Sequence, residues 1–191
     1  MYKHEVELRA FVDNAQLKSL RSSLTKHSRT TTCVKDTYYC KKEVRDFSEV
    51  EMDEIGSFSL RLRQSNAGNN NKYSLNVKII TSYGDHHAWD EHEIQINSFR
   101  EGEKILIALG YKKFFSISKT RESYECGNIK AIIEDLGDCG HAIEVEIMTE
   151  KSQSELAKNK LYAFLEKYGI SKNQIVKKSL TNELMKKFSK F

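Results

Sequence analysis

Two stretches of the chain place glutamates at every second position. Glu5-Val6-Glu7-Leu8-Arg9 stands near the beginning, and Ile143-Glu144-Val145-Glu146-Ile147 stands far down the chain. In an extended strand alternate side chains share a face, so each stretch offers a row of carboxylates on one side and aliphatic residues on the other. Carboxylates are hard oxygen donors of the kind that hold Mg2+ or Mn2+. One such row describes a solvated strand edge equally well; a matched pair points to a metal site.

Bases form rows of their own. Ser59-Leu60-Arg61-Leu62-Arg63 repeats the alternation with guanidinium groups, Lys78 sits in the strand-like run Tyr73 to Ile80, and Lys119 and Arg121 share a face between Ser116 and Cys126. Glu91 and Glu93 make another acidic row in the run Trp89 to Ile96. Arginine forks and lysine ammonium groups match the oxygens of phosphate. Random solvated faces would mix signs within strands, whereas these rows are sorted by sign. A triphosphate with its divalent ion satisfies both sets.

The elements that must carry these rows can be read in order. Asp13 caps a short helix whose stripe is Leu17, Leu20 and Leu24. Asp36-Thr37-Tyr38-Tyr39-Cys40 is rich in strand formers, and an acidic loop, Lys41 to Gly56, follows it. Asn66 to Asn71 reads as a loop joining neighbouring strands. Ser98 and Glu101 form a capping box for a helix with the stripe Ile105, Leu106 and Leu109, stopped by Gly110. Gly127-Asn128 turns one strand into the next, Ile129 to Glu134. Ser152 and Glu155 suggest a second capping box, opening a helix through Leu156, Leu161, Phe164 and Leu165 to Gly169, and a last helix covers Leu180 to Phe188. About eight strands with charged faces, and helices enough to cover their apolar faces, are most economically arranged as a closed antiparallel eight-stranded β-barrel. The expected class is α+β, a tunnel with a charged lumen and flanking helices.

Composition narrows the reading further. A chain of 191 residues suits a single domain, 1–191. The net charge of +4 is spread among acids, with no clustered basic face or aromatic stacking motif, which argues against a nucleic-acid partner. No apolar run approaches the roughly 20 residues of a membrane helix, and no basic segment leads into an apolar leader. The expectation is a cytoplasmic protein without a membrane partner. Cys33, Cys40, Cys126 and Cys139 contain no Cys-x-x-Cys pair and read as free thiols. His86 and His87 are expected in an exposed hairpin loop, His141 in another loop, and Tyr38 and Tyr39 as packing residues.

Taken together, the motifs resemble a known family. Glu5-x-Glu7-x-Arg9 is similar to the opening Glu-x-Glu-x-Lys of the CYTH superfamily, the triphosphate tunnel metalloenzymes that include class IV adenylyl cyclases and thiamine triphosphatases. Asp36-Thr37-Tyr38-Tyr39 resembles the family's Asp-Thr-Tyr-Phe strand, and Arg45-Asp46-Phe47 ahead of Arg61 and Arg63 resembles the spacing of cyclase-like members. Lys119-x-Arg121, then Glu134 to Gly140 leading into Glu144-Val145-Glu146, looks like the late hairpin and closing metal strand. Lys178-Ser179-Leu180 to Leu184 resembles the C-terminal Ser-Tyr-x-x-Leu-Leu helix. The likeness covers almost the whole chain, with departures: Arg9 replaces the usual Lys, Glu134 the usual Asp, Cys40 follows the tyrosines where Asp or His is common, Lys78 lacks the Gly-Pro that often follows it, and Ala142 occupies an aromatic position.

The resemblance implies a divalent-metal-dependent enzyme acting on a nucleoside triphosphate or another triphosphate, with Mg2+ or Mn2+ as cofactor. Its leading form is a class IV adenylyl cyclase, making cyclic AMP and pyrophosphate from ATP. The alternatives are a triphosphatase acting on tripolyphosphate, thiamine triphosphate or nucleotides, and a non-catalytic nucleotide or polyphosphate binder. Glu5, Glu7, Glu144 and Glu146 are the expected catalytic metal ligands, with Glu134 and Glu93 as further metal candidates. Arg9, Arg61, Arg63, Lys78, Lys119 and Arg121 are the expected phosphate grip. The likeness also leaves a homodimer open.

Overall fold

In the computed structural model, residues 4–45, 53–68, 70–179 and 182–184 are described. Among the described residues, eight strands and three longer helices follow in the order β1 (His4–Val12), α1 (Asn14–Leu24), β2 (Arg29–Lys41), β3 (Phe58–Ala67), β4 (Asn70–Ile80), β5 (Ala88–Ile96), α2 (Phe99–Ala108), β6 (Tyr111–Cys126), β7 (Ile129–Asp135), β8 (His141–Thr149) and α3 (Ser154–Lys167). All neighbouring strands run antiparallel, and the order β1-β5-β4-β3-β2-β6-β7-β8 closes back on β1. The expected closed, eight-stranded antiparallel barrel is the architecture found.

Local sequence explains each boundary. Asp13 accepts a hydrogen bond from the Gln16 amide while the Gln16 side chain reaches back to the Asp13 N–H, a complete capping box for α1. Ser98 caps α2 by accepting from the Glu101 amide, and Gly110 ends it with φ +88°, a conformation that other residues resist. The second capping box does not form. Lys151–Gln153 makes a short 3-10 turn, α3 begins at Ser154, and the Ser154 hydroxyl donates to the Lys151 carbonyl instead. The loop expected over Asn66 to Asn71 is tighter, because β3 runs through Ala67 and β4 starts at Asn70. Part of the acidic loop, with Asp46 and Phe47, lies outside the described residues, as does most of the expected last helix; Asn182–Leu184 is helical.

The outer faces make the core. Val6, Leu8 and Ala10 of β1, Ala131 and Ile133 of β7, and Ile143, Val145 and Ile147 of β8 pack under Leu17, Leu20 and Leu24 of α1 and under Ala157, Leu161 and Leu165 of α3. On the far wall, Leu106 of α2 seals Leu60 and Leu62 of β3 with Tyr39 of β2. Burying these aliphatic faces, at roughly 25 cal/mol per Å2 of apolar surface, holds the barrel shut from outside and leaves the alternate face of every strand pointing inward.

One end of the barrel is covered. Leu184 is buried against Leu136 and Ala142, with Phe11, Phe115 and Ile117 around them. The segment leading to it clips onto β1, where Ile175 bridges Ala10 and the Val176 amide donates to the Arg9 carbonyl at 2.7 Å. Lys178 then reaches Asp53 at 2.8 Å, and Asp53 also holds the His86 ring at 2.7 Å. His86 is therefore not the exposed loop histidine expected. It is 3% exposed, with its ring edge-on to Trp89.

Candidate functional site: a ring of charge in the tunnel

Strand register places the predicted rows side by side. Glu7 pairs with Glu146 and Arg9 with Glu144 across β1 and β8, Asp36 pairs with Arg63 across β2 and β3, and Lys78 pairs with Glu91 across β4 and β5. Arg121 pairs with Glu134 across β6 and β7. Because side chains alternate, all of these residues share the inward face.

Their ion pairs join into a closed ring. From Glu7, Lys78 Nζ lies at 2.8 Å and reaches on to Glu91 at 3.8 Å. Arg61 links Glu91 at 3.6 Å to Asp36 at 3.7 Å. Lys119 links Asp36 at 3.6 Å to Glu134 at 2.6 Å. Arg121 links Glu134 at 3.2 Å to Glu144 at 2.9 Å. Arg9, in contact with Glu144, returns to Glu7 at 3.6 Å. Acids and bases alternate around the ring, and every strand of the barrel supplies a member. Glu5 joins through Lys78, Arg63 through a two-pronged bond to Asp36 at 2.7 and 2.9 Å, and Lys130 holds Glu146 at 2.9 Å at the margin.

Burial gives these pairs their weight. Asp36 and Glu134 are fully buried, and Glu5, Glu7 and Glu144 nearly so. Burial alone would push each carboxyl up, and the adjacent bases decide the outcome. For Glu7, burial is more than offset by the Lys78 ammonium and the Arg9 guanidinium, leaving it at about 2. For Glu134 the same contest, won by Lys119 and Arg121, also ends at about 2. Asp36 is driven further down by Arg61, Arg63 and Lys119 against its burial. Glu5 goes the other way: burial dominates, Lys78 offsets it only in part, and the neighbouring Glu7 and Glu91 charges add to the rise. Lys119 and Arg121 are lowered by burial, their acid neighbours notwithstanding.

The ring encloses a cavity of about 380 Å3, lined by Glu5, Glu7, Glu144 and Glu146 together with Arg9, Arg61, Arg63, Lys78, Lys119 and Arg121. All ten principal residues expected from the sequence thus meet in one space. Glu93 borders it from an exposed position. Glu134 sits behind Lys119 and Arg121 and does not line the cavity, which makes it a counter-charge for the bases. The four glutamates are an all-oxygen donor set without histidine or cysteine, which fits a hard divalent cation such as Mg2+ or Mn2+. Among the described residues, no three His, Cys, Asp or Glu side chains are already arranged as a metal cage, because lysine and arginine stand between the carboxylates.

Sequence reasoning passed over Asp36, Asn76 and Lys130 as site residues, took Tyr38 for a packing residue, and from the acidic row of Glu91 and Glu93 carried forward only Glu93. Asp36 was visible only as part of a motif, yet Tyr38 two positions on shares its face, and Tyr38 lines the cavity. Glu91 lies one step inward of Glu93 and makes the contacts to Lys78 and Arg61 that Glu93 does not. Asn76 donates to Glu91. Lys130 belongs to the same strand face as Glu134, so period two could have found it.

A CYTH domain family model matches residues 3–180. The chain belongs to the CYTH domain family. Solved structures agree with the CYTH fold. The PH1819 protein of Pyrococcus horikoshii superposes with a TM-score of 0.79 at 24% identity, covering 96% of this chain and 99% of that one. A candidate adenylate cyclase of Vibrio parahaemolyticus gives 0.75 at 19% identity, covering 97% and 99%. HpAC1 from Hippeastrum, a candidate adenylyl cyclase described as having a dominant triphosphatase activity, gives 0.58 at 16% identity, covering 88% of each chain. No curated protein matches. Identities this low speak to the fold alone.

Proposed function

We propose that the tunnel is the site of a divalent-metal-dependent enzyme that acts on a triphosphate, with hydrolysis of the phosphoanhydride chain as the leading reaction. The observation that carries this reading is the closed ring of alternating charges around one cavity. A buried ring of this kind is costly to keep for stability alone, since apolar residues would fill a barrel at least as well. It has a use if a ligand bringing both anions and cations can exchange partners with it.

In this reading Arg9, Arg61, Arg63, Lys78, Lys119 and Arg121 hold phosphate oxygens, the arginines as planar forks and the lysines as point charges. Asp36 and Glu134 stay with the bases and keep them aimed inward. Glu5, Glu7, Glu144 and Glu146 would hold Mg2+ or Mn2+, and the chemistry such an ion supplies is polarisation of a phosphoryl oxygen and neutralisation of developing charge. The low-dielectric wall strengthens every one of these contacts.

Cyclisation of ATP is the second reading. It is favoured by Tyr38, a half-buried aromatic side chain in the lining against which a base could stack. The pairing of a cyclase name with triphosphatase activity in the Hippeastrum relative keeps both reactions in play for one fold. Purified protein incubated with tripolyphosphate or ATP and either metal separates them by chromatography of the products. Orthophosphate supports hydrolysis, cyclic AMP supports the second reading, and no turnover of either overturns the enzyme assignment. Glu144→Gln with Glu146→Gln should abolish turnover while circular dichroism stays unchanged; retained activity would remove those residues from the site.

A further inference from the structure

Lys78 occupies a singular place in the ring. Its ammonium touches Glu5 and lies 2.8 Å from Glu7 and 3.8 Å from Glu91, so three carboxylates converge on one cation. Both close contacts are to Oε2 atoms of the two glutamates that open the chain's metal row. A divalent ion held by Glu5 and Glu7 would compete with this ammonium for the charge of the same two carboxylates, and the two cations would repel each other strongly at such close range.

The side chains around Lys78 differ in what they can do. Arg9 and Arg121 are planar groups fixed between two acids each. Lys78 has a point charge on a flexible four-carbon stem. It springs from β4 beside Arg61, which shares Glu91 with it, so a short swing carries the ammonium away from Glu5 and Glu7 to the side where a phosphate chain would lie against the arginines. Glu5 is buried and, among the described residues, has Lys78 as its one basic contact, beside its cross-strand neighbours Trp89 and Met148, so it would gain from a stronger cation.

We infer that Lys78 is an internal counter-cation that a divalent metal must displace, and that a triphosphate drives the exchange by taking the ammonium. This rests on the proposed function and deepens it, since it makes metal and triphosphate binding cooperative through one residue. By linkage each ligand then raises the other's affinity by the same factor, within the five- to 150-fold range usual for coupled sites, and here at least about tenfold.

The test measures Mn2+ binding to chelator-treated full-length protein by electron paramagnetic resonance, with and without tripolyphosphate, for wild type, Lys78→Gln and Lys78→Arg. Wild type should bind Mn2+ alone weakly and about tenfold more tightly with tripolyphosphate. Lys78→Gln should bind Mn2+ alone about tenfold more tightly than wild type and lose the coupling, while Lys78→Arg keeps a cation on the glutamates and stays weak. A residue that only grips phosphate would instead weaken tripolyphosphate binding and leave the affinity for Mn2+ alone unchanged, and that result overturns the inference. Should Lys78→Gln fail to fold, the wild-type Lys78 ammonium resonance, assigned by its loss in Lys78→Arg, decides. It must shift on adding Mg2+ alone, and a stationary signal at saturating Mg2+ refutes the exchange. A wild type that binds neither Mn2+ nor tripolyphosphate defeats the proposed function itself; binding of both without an effect at Lys78 defeats only this inference.

Discussion

Asp36→Asn keeps the size of the side chain and removes the one charge on which Arg61, Arg63 and Lys119 converge, at 3.7, 2.7 and 3.6 Å. Asp36 is fully buried, so water cannot replace it. Removing one partner of a buried ion pair costs about 3–5 kcal/mol, because the bases left behind lose their counter-charge without regaining solvent. Asparagine can still accept a bond from Arg63, which places the expected loss near the lower end, about 3 kcal/mol. For a chain of this size that is a fall in Tm of roughly 6–12 °C. Urea unfolding followed by circular dichroism at neutral pH measures it. The second arm uses the unpaired bases themselves: tripolyphosphate should raise the Tm of Asp36→Asn by more than it raises that of wild type, since the anion supplies what the carboxylate no longer does. A loss under about 1 kcal/mol, with equal stabilisation of both proteins by tripolyphosphate, would refute Asp36 as the anchor of the basic wall.

Acid should destabilise the fold through the ring. Glu91 and Glu134 sit at about 2 against an ordinary 4.5, burial being outweighed by Lys78 in the first and by Lys119 in the second, and Asp36 lies lower still. Depressed carboxyls contribute stability that is full above about pH 4.5 and lost as pH falls toward about 2. Glu5, raised by burial, works in the opposite sense and softens the slope; a urea midpoint that stays flat from about pH 5 to 2 would contradict the ring. Leu161→Ala, at a position with 0% exposure between α3 and the outer wall, should cost about 2–5 kcal/mol in urea unfolding with the same products formed, separating the shell from the site. Mg2+ and tripolyphosphate, each at about 100 times its dissociation constant, should stabilise the protein by about 2.7 kcal/mol apiece and by at least about 5 kcal/mol together in a thermal scan, and stripping the metal with a chelator should remove the metal's share of that gain.

The barrel was legible because its strands have two unlike faces. Val6 and Leu8 against Glu5 and Glu7, Leu60 and Leu62 against Arg61 and Arg63, and Ile143 and Val145 against Glu144 and Glu146 leave little freedom about which side meets the helices. Helix caps were legible where the capping side chain met an amide three residues on, as at Asp13 and Ser98. At Ser152 the same pattern failed, because a 3-10 turn moved the start of α3 past it. His86 was misread because a pair of histidines after Gly84 and Asp85 looks like solvated loop; only the approach of Asp53 and Trp89, distant in sequence, buries it.

The sequence by itself determined the inventory of the tunnel: which residues are charged, their sign strand by strand, and that they face away from the apolar core, because side-chain direction along a strand is a local property with a period of two. Only the tertiary structure decided the pairings. Register between strands, β6 against β7 and β2 against β3 and β6, set Glu134 behind Lys119 and Arg121 and put Asp36 beneath three bases. Register of β4 against β5 chose Glu91 over Glu93 as the partner of Lys78, and β1 beside β5, distant in the chain, brought that lysine onto Glu5 and Glu7. Ion pairs act over a few ångströms, and those distances exist only once the barrel has closed.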